Sequence, residues 1–246
     1  YWRKKYTFVS DTMATRTFSS RFQAPLAGGQ AYIMTVTDIE PQRLGDVDIS
    51  QGDYAISFVL EEGLIAKKPN IYLYPKRKMK MNVSLNFPQG GRVVKSDPTY
   101  PKEWQKISVK PNGLIDGKHD FLFYEASLPV KWQYDEGWSV PKTNLESFFI
   151  KNLKAYGFND AEILDYVEYW IPRLTEYTFY NIYPQHTQKI NEVVSLNISK
   201  KPKSVLRMFY VIEPTLSMRA KDIPAPKIPS FQRKGFTVTE WGVVFK

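Results

Sequence analysis

The sequence lacks cysteine altogether: none of its 246 residues can form a disulfide, a thiolate metal ligand or a cysteine nucleophile. A chain without thiols is equally stable in oxidising and reducing surroundings, so the composition does not indicate a compartment. Long apolar runs are missing as well. No stretch reaches the roughly 18 consecutive apolar residues that are typical of a membrane-spanning helix.

Histidine is nearly as scarce, with His119 and His186 far apart in the sequence. Isolated histidines of this kind are interpreted as ordinary surface or hydrogen-bonded residues rather than metal ligands. The sequence also lacks the H-x-x-x-H, G-x-S-x-G, P-loop and dinucleotide glycine patterns. It therefore predicts no metal site and no cofactor.

The net charge of +9 comes from dispersed basic residues, with small groups at Lys67-Lys68, residues 76–80 and Lys200-Lys201-Lys203. Stacking aromatics do not accompany them in one recognisable module, so nucleic-acid binding is not expected. A basic subunit that contacts nucleic acid or anionic lipid is kept as the weakest alternative. The opening Tyr1-Trp2-Arg3-Lys4-Lys5 fits either a trimmed terminus or the flank of a removed signal or anchor, and the latter would allow membrane association.

What the sequence does have is 15% aromatic residues and many alternating segments, which favour strands. Residues 78–87 alternate strictly between apolar and polar side chains, which predicts a strand with one buried and one exposed or edge face. Five further strands are predicted, at residues 106–110, 121–126, 193–199, 204–212 and 236–245. The last residues before 204, Lys200-Lys201-Pro202-Lys203, are interpreted as the turn of a hairpin.

One region has helical spacing instead. Asn144 is a candidate N-cap, and apolar residues recur every three or four positions until Gly157, which can end a helix in the left-handed conformation. Asn159 and Glu162 form an approximate capping box for a second helix, which Pro172 ends or bends. Two helices are therefore predicted at about residues 144–156 and 160–174.

The predicted architecture is α+β and strand-dominated. A small N-terminal β unit covers residues 1–66, and a β-sandwich-like main domain with an inserted helical hairpin covers residues 67–246. The boundary is placed at Lys67-Lys68-Pro69, because a proline after two charged residues resists continuing either kind of element.

Candidate binding residues are aromatic. Trp132, Trp138 and Trp241 would stack on sugar rings or on an apolar patch of a partner if they share an exposed platform, and they would otherwise fill the core. Two carboxylates, Glu125 and Glu240, are the first candidates for an acid and base pair of the glycosidase type. A glutamate beside a tryptophan, as in Glu240-Trp241, is also typical of a structural hydrogen bond.

Several segments resemble, in the same order, an uncharacterised and mostly microbial protein family. The opening Lys68-Pro69-Asn70-Ile71-Tyr72-Leu73-Tyr74-Pro75 is similar to its K-P-x-I-Y-L-Y-P motif, and the closing Gly235-Phe236-Thr237-Val238-Thr239-Glu240-Trp241-Gly242 is similar to its G-F-x-V-x-E-W-G motif. Leu122-Phe123-Tyr124-Glu125 and Tyr169-Trp170-Ile171-Pro172 match segments between them. The resemblance spans about residues 68–243 and implies one domain of an exported protein, and it supplies no catalytic residues.

These observations favour a non-enzymatic surface, extracellular or assembly component that acts by binding a protein or a glycan. The alternative is a hydrolase that depends on Glu125 and Glu240. An extracellular or cell-surface location is expected from the resemblance.

Overall fold

A computed structural model describes residues 64–128, 132–218 and 223–246 in full, and four earlier strands by their backbone pairing. The chain divides into two units, Tyr1–Glu61 and Glu62–Lys246. In the first unit, β1 (Lys5–Phe8) pairs with β4 (Tyr54–Ser57), and β2 (Arg21–Pro25) pairs with β3 (Ala31–Thr35), both antiparallel. Residues 1–4, which carry most of the basic aromatic opening segment, lie outside the described residues.

The described part of the second unit contains a seven-stranded sheet and a three-stranded sheet. The larger sheet consists of β5 (Leu64–Tyr74), β7 (Arg92–Asp97), β9 (Leu122–Leu128), β10 (Trp138–Pro141), β11 (Phe179–His186), β13 (Ser204–Thr215) and β14 (Thr237–Phe245). Its order is β10-β11-β13-β14-β5-β9-β7, and only the β13–β14 pair is parallel. The smaller sheet has the order β12-β6-β8 and consists of β6 (Met79–Asn86), β8 (Trp104–Val109) and β12 (Ser195–Ile198).

The seven-stranded sheet is the middle of three layers, because both of its faces are buried. On β13, Phe209 and Val211 pack on one face with residues of the three-stranded sheet such as Val83. Met208 and Tyr210 point to the other face and pack with helical residues. The predicted strand-dominated, sandwich-like α+β fold is confirmed, and its helical hairpin covers the face of the large sheet opposite the small one.

The alternating segment at residues 78–87 forms β6 with the predicted burial. Met81, Val83 and Leu85 are buried, while Lys80 is exposed. Because β6 pairs with β12 on one side and β8 on the other, its lysine lies on an exposed face and not at a sheet edge. Alternation therefore predicted the buried face correctly and could not specify the strand's neighbours.

The helical hairpin is also confirmed, as α1 (Leu145–Tyr156) and α2 (Asp160–Trp170). Gly157 ends α1 with a φ of 103°, a conformation that side chains rarely adopt. The ring of Phe231 packs so closely that a Cβ at Gly157 would lie 2.8 Å from it. Pro172 falls in a 3-10 turn that follows α2, at Ile171–Arg173, so it ends the helix as expected. A third helix, α3 (Thr187–Val193), was not predicted.

The two helix starts differ in a way that can be measured. Asn159 accepts a hydrogen bond from the Glu162 backbone N–H, and the Glu162 carboxylate accepts one from the Asn159 N–H. Asn144, at the start of α1, makes no such bond. We expect Asn159→Ala to lower the free energy of unfolding by about 1 kcal/mol and Asn144→Ala to change it by much less. Urea denaturation of the two variants checks this, and equal effects would contradict it.

Two sequence-based interpretations differ from the structure in detail. Lys67-Lys68-Pro69 does not interrupt an element as expected, because β5 runs through these residues and accommodates the proline in a bulge between Ala66 and Asn70. The hairpin at residues 200–203 does not form, because β12 belongs to the small sheet and β13 to the large one. A turn-like sequence shows where a strand ends but not which strand it pairs with.

Candidate functional site

The three tryptophans proposed as binding residues do not form a shared platform. Trp241 is fully buried between the large sheet and the helices, where its Nε1 donates to the Glu162 carbonyl at 3.0 Å. Trp132 is buried on the opposite face of the sheet, with its ring centroid 6.3 Å from that of Phe209. Trp138 is half-buried and lies edge-on to Phe148 of α1. The structure therefore places them in the two cores, because both faces of the large sheet are covered.

The two candidate carboxylates are not brought together either. Glu240 on β14 is fully buried and accepts a 2.7 Å hydrogen bond from the Tyr124 hydroxyl, on the side of the three-stranded sheet. Glu125 follows Tyr124 in the extended strand β9, so its side chain lies on the opposite face of the same sheet. An acid and base pair on one substrate is not formed by these two residues.

Glu240 belongs instead to a buried network around Arg207 of β13. The Arg207 Nε donates to Glu240, and its Nη1 donates to the Asn191 side chain and to the Val194 carbonyl. Burial, the largest single influence, would lower the pKa of Arg207, but the Glu240 carboxylate and Tyr124 together outweigh it and raise that pKa. The network joins β13 and β14 to the segment around α3, so we assign it a structural role.

A different set of side chains lies on the helix side of the large sheet, beyond the end of α2. There, among the described residues, Lys67 on β5 and Lys95 on β7 are exposed, and Glu125 on β9 is half-buried. Lys95 and Glu125 are opposite each other across the β7–β9 pair. This part of the sheet carries charged groups where the rest of the same face carries core residues.

Lys68 lies in the β5 bulge at the centre of this region. Its backbone has a φ of 55°, which for a residue with a Cβ costs roughly 1–2 kcal/mol. Its Nζ lies 4.4 Å from the ring centroid of Phe123, 4.8 Å from that of Phe121 and 5.4 Å from that of Tyr169. These rings surround a half-buried ammonium group and attract it through their π faces.

The charge of Lys68 is only partly compensated. Burial lowers the pKa of its amine, and Lys95 lowers it further, while Asp165 opposes the change more strongly than the other nearby carboxylates. No carboxylate of the described residues forms an ion pair with it. Asp165 accepts a hydrogen bond of 2.8 Å from the Tyr72 hydroxyl, and burial raises the pKa of this carboxyl.

A cleft of about 480 Å³ opens beside this cluster. It is lined by side chains from the end of α2, the loop after it and the neighbouring strands: Lys67, Glu125, Tyr169, Trp170, Arg173, Leu174, Glu176, Tyr177, Tyr180, Pro214 and Phe245. The Arg173 guanidinium lies 3.8 Å from the Tyr169 ring centroid and donates to the Tyr169 carbonyl. The Tyr177 side chain at the rim is 38% exposed. The cleft combines aromatic walls with charged groups of both signs.

The sequence contained both parts of this region without indicating a site. Lys67-Lys68-Pro69 was interpreted as a domain boundary, and Tyr169-Trp170-Ile171-Pro172 as the end of a helix. Of the residues predicted to act in function, only Glu125 reaches the cleft. Both segments contain a proline next to basic or aromatic residues, and this combination could have identified the region. Prolines inside predicted elements are found at sheet bulges and at helix ends, where side chains are often exposed.

Comparison of the chain with protein-family models, curated proteins and solved structures gives no match in any of the three. The resemblance of residues 68–243 to an uncharacterised family stays a prediction. In the part of the chain that the structure describes, no cluster of three or more histidine, aspartate or glutamate residues is arranged to hold a metal ion. Within the same residues, no helix has both the length and the apolar character needed to cross a membrane.

Proposed function

We propose that the protein is a non-enzymatic surface or extracellular component that binds an oligosaccharide in the cleft after α2. The observation that carries the proposal is the partly exposed side chain of Tyr177 in a cleft whose lining also includes the aromatic residues Tyr169 and Phe245. Aromatic side chains present an apolar face with a polar edge, a combination that suits the apolar face and hydroxyl rim of a sugar ring. The volume of the cleft is within the usual range for small-molecule sites.

The charge balance of the cleft favours an uncharged ligand. Two cationic residues, Lys67 and Arg173, face two acidic ones, Glu125 and Glu176. A strongly anionic or cationic ligand would meet repulsion from one of these pairs, whereas the hydroxyl groups of a neutral sugar can donate to carboxylates and accept from Lys or Arg. A neutral oligosaccharide therefore fits the lining better than a polyanion.

The hydrolase alternative that pairs Glu125 with Glu240 is disfavoured by the positions of these two carboxylates. Glu125 lines the cleft, but Glu240, its suggested partner in catalysis, is buried on the other face of the sheet and bonded to Arg207. A glycosidase mechanism of the usual kind needs two carboxyl groups on either side of one glycosidic bond. The pairing of Glu125 and Glu240 does not meet that requirement.

Tyr177→Ala should weaken oligosaccharide binding about fivefold, since loss of one stacking ring removes about 1 kcal/mol. Titration calorimetry with cellohexaose, chitohexaose and mannohexaose, each in turn, measures the dissociation constants. Leu164→Ala is the matched control, because Leu164 is 53% exposed on α2 and does not line the cleft. We expect it to bind as the unmodified protein does.

Binding of a hexasaccharide that is equally tight in Tyr177→Ala and the unmodified protein would place the sugar elsewhere and contradict the proposal. Failure of all three hexasaccharides to bind would contradict it as well, and would favour a protein ligand for this surface.

A further inference from the structure

Lys68 has features that a purely structural lysine does not need. Its backbone is in a strained conformation within a bulge. Its amine lies among three aromatic rings and does not form an ion pair with a carboxylate of the described residues. Bulges are enriched beside functional sites because they re-aim a side chain, and strained residues cluster there as well. Lys68 is half-buried and not fully enclosed, so we expect a small reagent to reach its amine.

We propose that Lys68 is a nucleophilic amine that forms a reversible imine with small aldehydes. The proposal stands apart from oligosaccharide binding, because Lys68 does not line the cleft and shares only the Tyr169 ring with it. It requires no cofactor, metal or oxidant.

The reaction balances with water as the only by-product. The lone pair of neutral Nζ attacks the carbonyl carbon, the C–O π bond opens, and a proton moves from nitrogen to oxygen to give a carbinolamine. Loss of hydroxide from the carbinolamine then forms the C=N bond of the protonated imine, and the hydroxide takes up a proton from the solvent and leaves as one water. The protonated imine is itself a cation, so the rings that surround the ammonium attract it in the same way.

The surroundings of Lys68 support both steps. Its lowered pKa increases the share of neutral amine at pH 7 to 8, and each unit of lowering increases that share about tenfold. Asp165, the carboxylate that acts most strongly on Lys68, supplies a counter-charge to the protonated imine. The rings of Phe121, Phe123 and Tyr169 keep part of the surrounding water away, which slows hydrolysis of the product.

Reductive trapping tests the proposal on the unmodified protein. The chain is treated at pH 7.5 with limiting glycolaldehyde and cyanoborohydride, digested with chymotrypsin, and analysed by mass spectrometry with fragmentation that separates Lys67 from Lys68. We expect Lys68 to be labelled at least about threefold faster than the exposed Lys67 and Lys95, because neutral amine is the reacting form. The two exposed lysines serve as internal controls on the same sheet face.

Two variants sharpen the result. Lys68→Arg should remove the fast-labelled site and leave the rates at Lys67 and Lys95 unchanged. Tyr169→Leu removes one of the three rings around the Lys68 amine and decreases its burial. We expect the difference in labelling rate between Lys68 and the exposed lysines to fall by at least about half. Labelling of Lys68 at the same rate as Lys67, or more slowly, in the unmodified folded protein would overturn the proposal whatever the variants do.

Discussion

Arg207→Met should lower the free energy of unfolding by about 3–5 kcal/mol, because it leaves a charged carboxylate buried without its partner. Glu240 is fully buried in the described core, and its other side-chain hydrogen bond comes from the neutral Tyr124 hydroxyl. The substitution also takes a donor away from the buried Val194 carbonyl. Urea denaturation monitored by tryptophan fluorescence gives the free energy by linear extrapolation.

Substitutions of Glu240 distinguish the contribution of the ion pair to stability from that of ordinary side-chain packing. Glu240→Gln should cost a comparable amount, since arginine stays charged and is then buried without an anion. The double variant Arg207→Met with Glu240→Met should lose clearly less than the sum of the single variants, because no unpaired charge remains. Additive losses would show that the charges are not coupled.

An exposed ion pair provides the matched comparison. Lys154 and Asp160 form a pair whose side chains are 69% and 90% exposed, at the junction of α1 and α2. Removing the charge with Lys154→Met should change the stability by no more than about 1 kcal/mol, because water screens the interaction. A loss as large as that of Arg207→Met would mean that burial is not the reason for the expected effect.

The elements that could be predicted from the sequence are those whose local pattern is complete. The residues of β6 alternate between apolar and polar without interruption. The end of α1 is marked by Gly157, and the start of α2 is marked by the capping box of Asn159 and Glu162. β11 has no such pattern, since six consecutive residues, from Tyr180 to Gln185, are buried on both faces of the sheet. Pro184 is unfavourable inside a sheet, but it lies beyond the residues that pair with β10, where β11 pairs only with β13.

The candidate site was less accessible to prediction because it depends on register and layering. Glu125 and Glu240 were singled out as a candidate acid and base pair, but only the pairing of β9, β5 and β14 determines that they lie on opposite faces. Lys68 was interpreted as part of a domain boundary, and its aromatic neighbours come from β9 and α2, far away in the sequence. Contacts of this kind cannot be deduced from local spacing.

Substitution of Trp241 is expected to cause the second large loss of stability, because this predicted binding residue is buried in the core. Its ring lies 5.1 Å from that of Tyr166 and 6.3 Å from that of Tyr72, centroid to centroid, with no exposed surface. Trp241→Ala should lower the free energy of unfolding by about 3–5 kcal/mol, as expected when a large buried aromatic residue is truncated. Trp138→Ala should cost less, because Trp138 is only half-buried.

The milder Trp241→Phe keeps most of the buried volume and gives up the hydrogen bond to the Glu162 carbonyl. We expect this variant to remain folded and to bind the hexasaccharides with the affinity of the unmodified protein, since Trp241 is remote from the solvent and does not line the cleft. Calorimetric titration next to urea denaturation measures both properties on the same sample. If Trp241→Phe lost binding while retaining its stability, Trp241 would act as a binding residue, and the cleft after α2 would not be the place where the ligand binds.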